Sequence, residues 1–415
     1  MKYNTYTLGN GLRIIHLPGT SPVVYCGLAI GAGTRNEAKD EAGMAHFCEH
    51  ATFKGTTHRR SLSILNCLEA VGGELNAYTN KEETVYYAAV LKEHFKRAVD
   101  LLADIVFHST YPQNELDKEV EVISDEIESY NDSPSELIYD EFEAMLFDGH
   151  PLGHSILGEA DRLKTYTTDH LRRFTNAYYR PERIVFFVYG DVSMKVAVSR
   201  LTAATSHFPA TSPLRLMDMP EQPLPAYRPQ KMEKKLGTHQ AHVMLGNRTY
   251  GATDHRRIAL YLLNNILGGP GMNARLNLAL RERNALVYTV ESSLMSYRDT
   301  GVWCIYFGCD PKDVKRCLRL VRKELDRLMQ KPLSDTQLQR AKKQLKGQIG
   351  VACDNKEAFA LDFGKTYMHY HKEKNLDNLF ARIDSLTATD LQAVAQDLFA
   401  EERITRLIYQ GEEGE

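Results

Sequence analysis

The sequence predicts an α+β protein of two homologous domains, each with a mainly antiparallel sheet and helices packed on one face. Three observations lead to this fold: a length of 415 residues, a proline-rich segment near the midpoint, and the same order of strand and helix patterns on either side of it. At roughly 150 residues per domain, the chain can form two or three domains with separate cores. Its composition, 43% hydrophobic and 25% charged, excludes a disordered or collagen-like chain.

The proline-rich segment divides the chain. Six of the 15 prolines lie within residues 209–229, at positions 209, 213, 220, 223, 225 and 229. Because proline fixes φ and removes a backbone donor, this stretch resists both helix and central strand. We therefore predict a first domain at 1–208, a semi-rigid linker at 209–229 and a second domain at 230–415.

The two halves contain the same patterns in the same order. In each half, a strand-like alternation precedes a helical pattern, and a later Thr-Asp pair suits a helix N-terminus before another strand-like segment. This order indicates an internal repeat of α+β units. The matching segments are 83–87 and 299–306 (strand), 91–107 and 314–328 (helix), and 168–169 and 389–390 (Thr-Asp).

Charge and cysteine content exclude several classes of protein. Lys and Arg number 51 against 54 acidic residues, and this net charge of −3 gives no electrostatic footprint for nucleic acid. The seven cysteines are too few and too irregularly spaced to form a disulfide framework, and the chain has no CxxC pair. This cysteine content favours a protein of a reducing compartment. The first residues lack the apolar core of a signal peptide, and the weakly polar run 23–33 is shorter than the ~20 residues of a membrane helix. We therefore expect a cytoplasmic protein without nucleic-acid or membrane partners.

The motif HFCEH at 46–50 predicts a metal site. On a helix, at about 100° per residue, His46, Glu49 and His50 share one face, and the opposite face is apolar. Two imidazoles four residues apart can bind one zinc ion, with the glutamate beside the metal-bound water. This H-x-x-E-H order is that of the inverzincins. Cys48 lies on the apolar face, so we expect it to be a core residue rather than a ligand.

A third ligand is expected from residues 114–130. Apolar residues recur there at helical spacing, and Glu119 and Glu126 lie two turns apart at the same edge of the apolar stripe. A carboxylate at the margin of a buried face can reach a metal, so we take Glu126 as the ligand and Glu119 as its supporting or catalytic neighbour. Standing alone, this helix would favour two solvated glutamates instead. The motif at 46–50 shifts the balance toward ligands.

With these motifs, the sequence resembles the pitrilysin and mitochondrial-processing-peptidase family of inverzincin metallopeptidases. The resemblance covers nearly the whole chain, and the two-repeat size is similar to that of the short bacterial members. It implies one Zn²⁺ per chain, although the ligand set also accommodates manganese or cobalt. The segments that carry it are HFCEHATFKGT (46–56), GGELNAYTNKEETVYY (72–87), EVEVISDEI (119–127), LGGPGMNARLNLALRERNALVYTVESS (267–293) and DTGVWCIYFGCDP (299–311).

The resemblance assigns roles to residues of the first half. His46, His50 and Glu126 match the zinc ligands of the family. Glu49 matches the general base, and Glu119 matches an accessory glutamate.

Substrate-binding residues are also implied by the resemblance. Asn76 and Ala77 match the edge strand that pairs with an extended peptide. Arg281 and Tyr288 match an Arg/Tyr pair through which the non-catalytic half reaches the substrate. A glycine-rich loop, here stiffened by an inserted proline, is matched by Gly268, Gly269 and Gly271.

These matches imply a zinc-dependent endopeptidase that hydrolyses unfolded peptides or small polypeptides inside a chamber, and a homodimer. Gln348 and Ala341 stand where the first half has Glu126 and Glu119, and the second half has no H-x-x-E-H, so only the first half should bind zinc. The alternative is a non-catalytic assembly or peptide-binding subunit of the same fold. The intact ligand set and Glu49, which simple zinc binding does not need, favour the enzyme.

Two other histidine pairs invite a ligand interpretation. His150 and His154 are four apart but are separated by a proline and a glycine, so a loop with structural or surface histidines is favoured. We expect His369 and His371 to be ordinary surface positions of a helix.

Overall fold

The computed structural model describes residues 1–219 and 222–411, which form two compact units. The first unit consists of Met1–Glu128, the described part of His154–Pro220, and Ala352–Asn375. The second consists of Ser129–Gly153 and the described parts of Glu221–Val351 and Leu376–Glu415. Residues 129–153 thus belong to the second unit and residues 352–375 to the first, although the boundaries expected at 208 and 230 would place each in the other domain.

Each unit contains one sheet and a set of helices, and a π-helix at Asn277–Glu282 adds to the second. Within the described residues the strands are β1 Asn4–Thr7, β2 Arg13–Leu17, β3 Val23–Ile30, β4 Glu74–Thr79, β5 Thr84–Leu91, β6 Ile184–Tyr189, β7 Lys231–Lys235, β8 Ala241–Tyr250, β9 Val287–Ser296, β10 Thr300–Cys309 and β11 Thr405–Gln410. The α-helices are α1 Met44–Thr52, α2 Ser61–Glu69, α3 Phe95–Phe107, α4 Gln113–Asn131, α5 Pro134–Leu146, α6 Ala160–Leu163, α7 Thr168–Tyr178, α8 Met194–Ala204, α9 Arg257–Gly268, α10 Val314–Gln330, α11 Asp335–Ala352, α12 Lys356–Tyr370, α13 Leu376–Ser385 and α14 Ala388–Leu398.

The two sheets have equivalent topologies. Their strand orders are β1-β2-β6-β3-β5-β4 and β7-β11-β8-β10-β9. All neighbouring strands are antiparallel except β2 with β6 and β7 with β11. Without β1, the two orders correspond position by position, including the parallel pair. The predicted α+β repeat is therefore confirmed, and the paired sequence patterns become β5 and β10, α3 and α10, and α7 and α14.

The second face of each sheet is covered by a helix from the other half of the sequence. In the first unit, Phe363 of α12 is fully buried and its ring lies 6.4 Å from that of Phe187 on β6. In the second unit, Phe142 of α5 is fully buried in a core with Met244 of β8. Since helices cover both faces, central strands lose their exposed side, and β10 is buried along its whole length. From the sequence, helices were expected on one face only.

The position of α12 on the first sheet corrects the expectation that His369 is a surface residue. It lies on α12 and is buried, with Nε2 3.1 Å from Oε2 of Glu83, because the helix lies across a sheet rather than at the surface. His371 caps the same helix with φ 53° and bonds to the carbonyl of Leu214 at 3.0 Å. His150 is buried as well, next to a 3₁₀ turn at Pro151–Gly153.

The segment predicted as a semi-rigid linker, 209–229, includes a buried residue, Leu216. Pro220 and Glu221 lie outside the described residues, and a 3₁₀ turn forms at Leu216–Asp218. In the first unit, the N–H of Leu214 donates to the carbonyl of Glu182 at 2.9 Å. Among the described helices, none combines the length and apolar character needed to span a bilayer.

Candidate metal centre

The start of α1, the helix that carries the HFCEH motif, is held by a buried carboxylate. Gly43 precedes the helix with φ 83°, in the left-handed region that favours glycine. Glu37 accepts hydrogen bonds from the backbone N–H groups of Gly43 at 3.1 Å and Ala45 at 2.8 Å. These bonds satisfy donors that a helix N-terminus leaves without intrahelical partners. Burial raises the pKa of Glu37 to about 8.

His46 and His50 point their Nε2 atoms toward Glu126 of α4. Oε2 of Glu126 lies 3.9 Å from Nε2 of His46 and 3.6 Å from Nε2 of His50. The two ring centroids are 4.5 Å apart. A tetrahedral zinc ion with bonds of about 2.0–2.2 Å holds its ligand atoms roughly 3.4 Å apart, so small movements would close these three atoms around an ion. The structure thus brings together the three predicted ligands, and they fit zinc.

The protonation state of His46 suits metal binding. Burial, together with the neighbouring His50, lowers the pKa of His46 to about 3. The ring is therefore neutral near pH 7, and only a neutral imidazole can donate a lone pair to a metal. Its buried Nδ1 has no hydrogen-bond partner within residues 1–219 and 222–411. Packing rather than a hydrogen bond therefore holds this ring.

His50, in contrast, is oriented by Glu119. Nδ1 of His50 lies 2.9 Å from Oε1 of Glu119, and the other carboxylate oxygen lies 2.5 Å from Nζ of Lys54. Burial alone would raise the pKa of Glu119, but the hydrogen bonds with His50 and Lys54 lower it. A carboxylate behind a metal-binding histidine fixes the ring orientation and tautomer. Glu119 is therefore placed to position His50 rather than to bind the metal itself.

Glu49 lies on the same helix but outside the ligand trio. Its side chain is buried, and Oε2 accepts a hydrogen bond of 2.6 Å from the hydroxyl of Thr79. Burial raises the pKa of Glu49, and the bond from Thr79 acts in the opposite direction. A buried carboxylate with a raised pKa beside a metal site is suited to accept and release protons.

Asn76 and Ala77 lie on β4, the outer strand of the first sheet. They pair with Tyr87 and Tyr86 of β5. The other side of β4 has no strand partner in the described part of the chain. α1 packs against β4, and Thr79 at the end of this strand contacts Glu49. The predicted peptide-binding strand and the predicted base are therefore directly connected.

Arg281 and Tyr288 lie in the second unit, at either side of a strained turn. Arg281 is in the π-helix with a half-exposed side chain, and Tyr288 is 83% exposed on β9, the outer strand of the second sheet. Between them, Ala285 has φ 50°, which is unusual for a residue with a Cβ atom. π-helical turns and strained residues are frequent at functional sites.

The glycine loop follows α9. Gly268 ends the helix, and a Cβ there would lie 2.7 Å from the backbone nitrogen of Ser292 on β9. Glycine is therefore needed for α9 to approach β9 this closely. Gly269 is the C-cap of the helix, and a Cβ on Gly271 would lie 2.6 Å from side-chain atoms of Asn273 and Gln344.

Three residues of the centre were missed in the sequence: Glu37, Lys54 and Thr79. Two of them carried a readable signal. Lys54 follows His50 by four residues, and Thr79 follows Ala77 by two, which places it on the same side of the strand. Glu37 had none, because its capping role depends on how the chain before α1 folds back. Cys48 is fully buried, as expected for a core residue.

Known families and proteins resemble this chain over most of its length. Residues 15–160 match the profile of the family described as insulinase (peptidase family M16), and residues 165–345 match that of the peptidase M16 inactive domain. An uncharacterized zinc protease of Bacillus subtilis is 33% identical over 97% of each chain. The mitochondrial-processing peptidase subunit beta of Bos taurus is 31% identical over 93% of this chain and 80% of its own.

Solved structures share the fold over the whole chain. A peptidase M16 inactive domain from Pseudomonas fluorescens has a TM-score of 0.89 at 19% identity and covers 100% of both chains. A protease from Helicobacter pylori has a TM-score of 0.88 at 21% identity and covers 99% of both.

Proposed function

Because this chain belongs to peptidase family M16, we propose that it is a zinc-dependent endopeptidase whose metal is held by His46, His50 and Glu126. One observation carries this proposal. The three ligand atoms lie within 4.8 Å of one another, and the same helix presents a buried glutamate that is not needed as a ligand. A site built only to store zinc would not need Glu49.

The chemistry follows from these positions. A zinc ion held by His46, His50 and Glu126 would supply a Lewis acid for the scissile carbonyl and would lower the pKa of a water molecule toward about 7. Glu49 takes the proton of the attacking water and delivers it to the leaving amine. Thr79 holds the carboxylate of Glu49, and Glu119 holds the ring of His50. Tyr288, together with Arg281, donates to the carbonyl oxygen or to the peptide backbone of the substrate, and the exposure of Tyr288 supports this role.

The proposed substrates are unfolded peptides and small polypeptides. An added strand on β4 must be an extended segment with free backbone groups, which folded proteins rarely offer. Thr79 supports this role, since it joins that strand to the base. We further propose that the substrate is enclosed in a chamber and that two copies of the chain form a homodimer, with one zinc ion in each.

Peptide digestion tests the proposal. Unstructured peptides of mixed sequence are incubated with zinc-loaded wild type and Glu49→Gln, and products are identified by mass spectrometry. The products of the wild type should be absent with Glu49→Gln, while its zinc content is unchanged. Glu121→Gln makes the same chemical change at an exposed position of α4 and should cleave like the wild type. Absence of cleavage by the zinc-loaded wild type would contradict the proposal.

A further inference from the structure

A second cluster of metal-binding side chains lies in the first unit, outside the centre described above. Its members are His58, in the segment between α1 and α2, and Asp104 and His108 at the C-terminal end of α3. One donor atom of each lies within 4.8 Å of the donor atoms of the other two, as in the trio of His46, His50 and Glu126.

The geometry of this cluster repeats that of the first centre. Asp104 and His108 are four residues apart at the end of α3, so both side chains emerge on one face, like His46 and His50 on α1. The ring centroids of His58 and His108 are 5.0 Å apart, compared with 4.5 Å for the histidines of the first centre.

The carboxylate of Asp104 is already oriented. Its side chain is only 4% exposed, and Oδ2 accepts bonds from the hydroxyl of Thr56 at 2.8 Å and from Nη1 of Arg59 at 2.5 Å. Oδ1 lies 2.6 Å from Nδ1 of His58. Donors behind one oxygen hold a carboxylate so that its other oxygen faces the ligand position.

His108 is also prepared to bind a metal. Burial, together with the neighbouring His58 and His207, lowers its pKa, which favours the neutral form of the ring that a metal ion requires. The ring of His207, just beyond α8, lies 5.6 Å from that of His108.

We propose that His58, Asp104 and His108 form a second metal site, which takes a divalent transition-metal ion such as Zn²⁺ or Co²⁺, with His207 within reach as a fourth ligand. Two imidazole nitrogens and one carboxylate oxygen suit these ions, whereas Mg²⁺ and Ca²⁺ require mostly oxygen ligands. The positive charge of Arg59 beside the ion makes this site weaker than the first. An ion here would join the segment after α1 to the ends of α3 and α8.

Zinc stoichiometry tests this site without any measurement of activity. Full-length wild type, His58→Ala, His108→Ala and His46→Ala are dialysed against buffered zinc, and bound metal is measured by mass spectrometry. The wild type should bind a second equivalent of zinc, which both His58→Ala and His108→Ala lose. His46→Ala should lose the first equivalent and keep the second. His255→Ala, at a histidine with 91% of its side chain exposed, is the matched control and should bind like the wild type.

A spectroscopic measurement separates true ligands from structural effects. With Co²⁺ as the probe, filling of the second site in His46→Ala should produce visible absorption bands that are absent from the His46→Ala/His108→Ala double variant. Circular dichroism of the same samples shows whether each variant is folded. Equal zinc content in wild type, His58→Ala and His108→Ala would overturn the second site, whatever the result of peptide digestion.

Discussion

The hydroxyl of Thr79, the last residue of β4, donates a hydrogen bond of 2.6 Å to Oε2 of Glu49 on α1. This bond joins the outer strand of the first sheet to the proposed general base. In the described part of the chain Thr79 makes no hydrogen bond to His46, His50 or Glu126, so we expect it to act on the reaction through the position of the Glu49 carboxylate.

We expect Thr79→Val to lower kcat by about 10- to 100-fold with little change in KM. A hydrogen bond to a charged group contributes about 1.5–3 kcal/mol, and each 1.4 kcal/mol corresponds to a factor of ten in rate. Steady-state kinetics on one identified peptide substrate measures both constants. Thr79→Ser keeps the hydroxyl and should restore most of kcat. A variant with Val that is as fast as wild type would show that Glu49 needs no such partner.

Removal of ligands should weaken zinc binding in a graded way. Loss of a residue that orients a metal ligand costs about 10- to 100-fold in affinity, and we expect this range for Glu119→Gln. Glu126→Ala removes a direct ligand and should cost more. Competition with a chromophoric chelator measures both affinities.

Glu121→Ala is the matched control for these two variants, because Glu121 lies on the same helix with its side chain exposed. Its zinc affinity should equal that of the wild type. If Glu126→Ala and Glu121→Ala bound zinc equally well, Glu126 would not be a ligand.

The centre was predictable from the sequence where it follows helical periodicity. The spacing of His46, Glu49 and His50 fixes their common face, and the margin of an apolar stripe marked Glu119 and Glu126. Strand periodicity places Thr79 on the same side of β4 as Ala77, but it does not show that the hydroxyl meets Glu49, because that contact depends on how β4 packs against α1.

Which sheet α5 and α12 cover could not be predicted either, but for a different reason. Local patterns show that a helix forms and which residues are apolar, but not which sheet it covers. Phe363 and His369 of α12 meet Phe187 and Glu83, which lie some 175 residues or more away in the chain. Such contacts are set by tertiary packing, and this is also why His369 was mistaken for a surface residue.

Gly364→Ala should destabilise the first unit. A Cβ at Gly364 would lie 2.6 Å from the ring of Phe187, and overpacking of a core typically costs about 1–3 kcal/mol. A Cβ at Gly347 of α11 would have no other heavy atom within 4 Å. Gly347→Ala should therefore leave the free energy of unfolding unchanged or raise it by up to about 1 kcal/mol. Urea unfolding followed by circular dichroism gives both free energies. Equal effects of the two substitutions would contradict the close packing of α12 on β6.

Glu83 makes a polar contact beneath α12. Its carboxylate lies 3.1 Å from Nε2 of His369 and 3.6 Å from Nζ of Lys365, and the amide of Asn80 donates to it at 3.0 Å. Burial alone would raise the pKa of Glu83, but these partners lower it to about 2.

Glu83 should therefore link stability to pH in the acid range. Because its pKa is lower in the folded chain than the usual value of about 4.3, ionised Glu83 stabilises the fold at pH above about 4.5, and this contribution disappears as the pH falls toward 2. We expect Glu83→Gln to lower the free energy of unfolding by about 2–3 kcal/mol at pH 7, and the difference from wild type to shrink below pH 4.5. Urea unfolding of both proteins, prepared without metal, between pH 7 and 3 measures this difference. The exposed Glu121→Gln should differ little from wild type at any of these pH values. A deficit of Glu83→Gln that stays constant down to pH 3 would show that packing, rather than ionisation, accounts for it.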